Sequence, residues 1–153
     1  MIMSKFCIYL NLPPYLSQWL AHSFGSPVEF PTNSNECAII RTFVQRLPTG
    51  TLPDTARNGN VAVVIPSSKA KPPMYYNYLS PRGKSALAEA IMDLFRRNLW
   101  AELSRLDMSS RLNSKINAWC EMHGIDIDHA DTVRQKFYRM RNSYNRKGIF
   151  LGK

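Results

Sequence analysis

The sequence predicts an α+β fold, mostly helical, with about five helices and a small two-stranded sheet. Three observations carry this. Segments 6–12 and 60–65 have strand character, five longer segments repeat apolar residues at helical spacing, and proline, glycine or capping residues punctuate them. With 153 residues, 44% of them hydrophobic, the chain can bury a real core.

The first strand alternates Phe6, Ile8, Leu10 and Leu12 against Cys7, Tyr9 and Asn11, so one face is buried. Pro13 and Pro14 cannot donate to a ladder and end it, and Pro14 suits the first turn of a helix. Leu16, Leu20 and Phe24 then recur beside Trp19 until Gly25 closes that helix. After an extended stretch from Pro27 to Pro31, the oxygens of Thr32 to Asn35 offer caps for a second helix. Glu36 suits its first turn, Ile39, Ile40, Phe43, Val44 and Leu47 form its apolar face, and Pro48 stops it.

Residues 48–60 read as loop, 60–65 as a buried strand whose simplest partner is 6–12, and 66–74 as an extended connector. Ser80 and Pro81 open a long helix through Leu106, with Leu87, Ile91, Phe95, Leu99 and Leu103 among its apolar stripe. A shorter helix from Ser109 and Ser110 carries Leu112, Ile116 and Trp119 to Gly124, and the last spans 131–147. The expected division is a strand-helix-helix-strand unit with its connector, 1–79, and a basic, tri-helical, helix-turn-helix-like unit, 80–153.

The net charge of +9 points to an anionic partner. Its distribution says where. Residues 131–153 hold seven basic groups against Asp131 alone. On a helical wheel Val133, Phe137, Met140 and Tyr144 form the inward stripe. The outer surface then carries Arg134, Gln135, Tyr138, Arg139, Arg141, Asn142, Arg146 and Lys147, with Lys136 and Ser143 on the other flank. Arg can take guanine bidentately, Gln and Asn can take adenine, and Lys and Tyr can hold phosphate. Such a helix suits the major groove of double-stranded DNA. The seven residues from Gly124 to Ala130 exceed the usual three or four of that turn, which makes this a looser variant.

Other classes find less support. No pairing of nucleophile with base, paired carboxylates, phosphate-cradling glycine loop or metal-ligand spacing is evident, so the expectation is a non-enzyme with no cofactor, no metal and no small-molecule substrate. Asp126, Asp128, His129 and Asp131 read as capping residues rather than ligands. Three scattered cysteines, no apolar run of membrane-spanning length and no secretory pattern at the start predict a cytoplasmic protein without membrane contact. The rival reading is a protein–protein module whose basic helix meets an acidic partner. A third, a binder of single-stranded nucleic acid, draws on Lys69 and Lys71 beside Tyr75, Tyr76 and Tyr78 and requires those rings to be exposed.

Two resemblances add to this. Phe6–Pro13, Tyr15–Leu20 and Asn33–Glu36 resemble the ribbon-helix-helix repressors. That resemblance implies a homodimer whose strands pair antiparallel, with Cys7, Tyr9 and Asn11 facing DNA and backbone amides near Ser34 and Asn35 meeting phosphate. Tyr9, Asn11, Ser34 and Asn35 are thus a possible second DNA surface. Pairing of 6–12 with 60–65 inside the chain is the alternative the residues favour. Residues 15–31, 63–79 and 116–125 look like a group of small uncharacterised proteins of gut Bacteroidales and their transposable phages or integrative elements. That likeness implies a regulator or accessory protein of a mobile element.

Overall fold

A computed structural model describes residues 6–104 and 112–146, with the side chains of Leu112, Asn145 and Arg146 outside that description. Strand β1 (Cys7–Leu10) leads to α1 (Pro14–Phe24) and α2 (Asn35–Phe43), and β2 (Val44–Gln45) follows directly. β3 (Val61–Val64), β4 (Tyr78–Leu79), α3 (Pro81–Leu103), α4 (Leu112–Met122) and α5 (Ala130–Arg146) complete the order. The fold is α+β and mostly helical, as its periodicities predict. No described helix is long and apolar enough to cross a membrane.

The chain forms two units, Met1–Pro13 with Ser23–Ile91 and Pro14–His22 with Met92–Lys153. In the first, β1 pairs antiparallel with β3, Ile8 opposite Val63 and Leu10 opposite Val61. The alternation of β1 fills the core: Ile8, Leu10 and Leu12 are buried along with Val61, Val63 and Ile65. Asn60 closes the end of this ladder as a strand residue would. Its Oδ1 accepts from the Leu12 amide at 2.9 Å and its Nδ2 donates to the Leu12 carbonyl at 2.8 Å. Ser34 caps α2 by accepting from the Cys37 amide at 3.1 Å.

Two expectations are corrected here. The second helix does not run to Leu47. It ends at Phe43, and Val44 and Gln45 pair with Leu79 and Tyr78 in a second small antiparallel sheet. The physical reason lies in Val44 and Lys71. Val44 is β-branched, buried and extended (φ −67°, ψ 139°), and the Lys71 ammonium donates to the carbonyls of Arg41, Thr42 and Val44 at 3.0, 3.3 and 3.1 Å. The carbonyls that one more helical turn would have satisfied therefore already have a partner.

The division also differs from a single cut between residues 79 and 80. α1 belongs with the C-terminal helices because its aromatic face needs theirs. Tyr15 and Trp19 each lie 5.3 Å from the Phe95 ring, and Trp119 packs on Phe95 at 5.8 Å. In this second unit Leu16, Leu20, Phe95, Leu99, Ile116, Val133 and Phe137 are completely buried. Four helical segments therefore surround the core that the sequence assigns to three.

Candidate nucleic-acid interface

The seat of α5 follows from its apolar stripe. Val133 and Phe137 are completely buried, and Trp100 of α3 stacks on Phe137 (5.3 Å, 28° between planes) and lies 4.9 Å from Tyr144. Met140, assigned to the same stripe, is half-buried. Burying this stripe turns the opposite side outward, and Gln135, Arg139 and Asn142 are all exposed.

The supports of α5 are held by polar contacts as well as packing. Glu102 of α3 accepts from the Trp119 indole N–H at 2.6 Å and lies 3.0 Å from His123 Nε2. The link between α4 and α5 is ordered. Gly124 adopts φ +75° and passes so close to His22 that an added Cβ would sit 2.8 Å from the His22 Cβ. Ile125 is buried, the Asp126 amide donates to Gln18 Oε1 at 2.8 Å, and Asp126 caps a 3-10 turn over Ile127–His129. The long turn is thus a fastened corner. Of the aspartates, Asp126 acts as a cap, accepting from the Asp128 amide at 3.1 Å, while Asp131 takes the Arg134 side chain instead.

The remaining predicted site residues fall into three groups. Arg134 is half-buried and spends its guanidinium on Asp131 three residues earlier, so part of its charge is already answered. Its Nε is buried without a partner among the described residues. Tyr138 donates its hydroxyl to Asn113 Oδ1 at 3.1 Å, and Arg141 lies over its ring at 4.6 Å. The contact sets a cation against an aromatic ring on one flank of α5. The Arg146 side chain and Lys147 lie outside the described residues.

One electrostatic feature escapes the helical wheel. Lys136 stands 5.4 Å from the Tyr15 ring, and its ammonium is pushed below the usual lysine range by burial and then by the charges of Arg96 and Arg139. Burial raises the Tyr15 hydroxyl, which Arg96 partly offsets. Lys136 therefore stands against the Tyr15 ring while the charges of Arg96 on α3 and Arg139 on α5 both act on it, and Asp93 takes Arg96 at 3.1 Å. A cluster whose own members disfavour its charge gains from an arriving anion. Only the interleaving of Arg96 on α3 could have signalled it, and no spacing within a single helix contains that information.

The possible second surface is used differently. Ser34 is committed to its cap, and its amide donates to the Pro31 carbonyl at 2.9 Å, so it is not offered to a phosphate. Asn35 is exposed. Tyr9 is half-buried, with its amide on Asp54 at 3.3 Å, and exposed Asn11 reaches the Asn58 carbonyl at 3.4 Å. The ladder partner of β1 is β3 of the same chain.

No protein family, curated protein or solved structure matches this chain.

Proposed function

We propose that the protein is a non-catalytic binder of double-stranded DNA that presents α5 to the major groove, in the role of a regulator of a phage or mobile element. The observation that carries the reading is the exposure of Gln135, Arg139 and Asn142 together on the face opposite the buried Val133 and Phe137. Arg139 and Arg141 meet phosphates or guanine edges, and Gln135 and Asn142 offer paired donor and acceptor to adenine. Lys136 with Arg96 adds a flanking phosphate contact. Most of the affinity then comes from neutralising phosphates, with base contacts adding discrimination.

The experiment is a gel shift at matched salt with Arg139 and Arg146 both changed to alanine. Binding to duplex falls while the circular dichroism spectrum is unchanged, because both substitutions lie on the outward side of the helical wheel. Undiminished binding by the double variant rejects the assignment. If the wild-type chain ignores duplex and binds an acidic protein, the basic face serves a protein partner instead.

A further inference from the structure

The first unit contains a groove that the α5 reading leaves unused. Its volume is about 680 Å³, and its walls include Phe6, Tyr9, Arg46, Asp54, Tyr75 and Asn77. That is in the range of roughly 300–1,000 Å³ typical of sites for small organic groups. Around it, Phe6 (42%), Met74 (64%) and Tyr75 (56%) are large apolar side chains left exposed. Such a grouping on a folded surface marks a binding site more often than an accident of packing.

The way the chain builds this groove suggests its ligand. Tyr75 is exposed but rigidly mounted. It sits in a turn led by Pro72 and Pro73, where the Tyr75 and Tyr76 amides both donate to the Pro72 carbonyl at 3.0 and 2.9 Å. Asn77 Nδ2 staples that turn by donating to the carbonyls of Pro73 and Met74 at 3.0 and 3.2 Å. The β2–β4 register, Gln45 opposite Tyr78, then brings the next residue, Arg46, over the tyrosines. Its guanidinium lies 5.7 Å from the Tyr75 ring and 5.0 Å from the Tyr76 ring. Another wall holds Asp54, fixed by the Tyr9 amide at 3.3 Å and by the Lys84 ammonium at 2.6 Å. Lys71, the cation that the sequence places beside these rings, is occupied at the end of α2, and Arg46 takes its place.

An exposed tyrosine on a stapled turn, a guanidinium over one side of its ring and a fixed carboxylate acceptor match one chemistry well. The ring stacks a planar base, the guanidinium holds the neighbouring phosphate, and the carboxylate accepts from an exocyclic amine. A base inside a duplex cannot present its face, so the ligand is an unpaired one. The chain's net charge of +9 favours a polyanion over an acceptor-poor apolar peptide. We propose that this groove takes an unpaired base of single-stranded nucleic acid, stacked on Tyr75 with its phosphate on Arg46. The site lies in the other unit from α5 and stands or falls separately from the duplex-binding reading.

The test titrates the full chain into labelled twelve-residue oligodeoxycytidylate and oligocytidylate, whose bases carry the exocyclic amine, with a labelled random duplex in parallel. Tyr75→Ala weakens single-strand binding by roughly five- to one-hundred-fold, the range for loss of one stacked base, while Tyr75→Phe retains it. Arg46→Ala weakens it as well, and Tyr75→Ala leaves duplex binding unchanged. A preference between the two oligomers identifies DNA or RNA as the source of the base. Single-strand binding that is absent, or that survives Tyr75→Ala unchanged, overturns the proposal. So does capture of a peptide in the groove without any response to oligonucleotide.

Discussion

Phe137→Ala offers a direct measure of how firmly the outward face of α5 is held. The ring is 0% exposed and stacks 5.3 Å from Trp100, with the completely buried Val133 one turn earlier. Truncating a buried phenylalanine costs about 3–5 kcal/mol, which includes the lost aromatic pairing and the cavity left behind. Against a typical domain stability of about 5–15 kcal/mol this is a large fraction. With a urea dependence of about 1–3 kcal/mol per molar, the midpoint falls by at least about 1 M. All three tryptophans, Trp19, Trp100 and Trp119, belong to the second unit, so tryptophan fluorescence reports its unfolding specifically. A midpoint shift well below about 1 M, the smallest that these costs and slopes allow, would refute the packing of Phe137 and with it the orientation assigned to α5.

Other expectations follow from single contacts. Gly59→Ala places a Cβ 2.5–2.7 Å from the Leu10 backbone, which has no side-chain freedom with which to yield. The loss is at least about 1–3 kcal/mol by thermal circular dichroism, the usual cost of overpacking, and an unchanged melting curve contradicts that approach of loop to strand. Burial pushes the Cys120 thiol up to about 11, so at pH 8 it resists an aromatic disulfide reagent until urea is added. Rapid labelling of the native protein at that position contradicts its burial. Lys136 has its charged form disfavoured in the fold, so its penalty is fully present below its lowered pKa and fades as pH rises toward 10.5. Lys136→Gln therefore raises the urea midpoint at pH 7 while weakening duplex binding, and a variant that loses stability at that pH argues against the cationic cluster.

What the sequence disclosed, and what it did not, divides along the range of the interactions. The alternation of Ile8, Leu10 and Leu12, the cap at Ser34 and the glycine stops at Gly25 and Gly124 are local, and the structure has each of them. The wheel of α5 is local too, and its outer residues Gln135, Arg139 and Asn142 are exposed. The misjudged end of α2 turned on Lys71, 27 residues beyond Val44. The membership of α1 turned on Phe95, and the meeting of Arg96 with Lys136 likewise joins two helices. Apolar periodicity states that a face is buried without stating against what. Arg134 shows the same limit at short range, because its pairing with Asp131 depends on rotamers that a wheel does not contain.

The most direct test of the central claim is the salt dependence of binding to a random-sequence duplex. Lys136, Arg139 and Arg141 of α5 and Arg96 of α3 are the described cations of the proposed surface, and each phosphate neutralised contributes about −0.9 to the slope of log affinity against log salt. The account predicts a straight line with a slope of about −3 to −4. A flat line, or no binding to duplex at low salt, would contradict it.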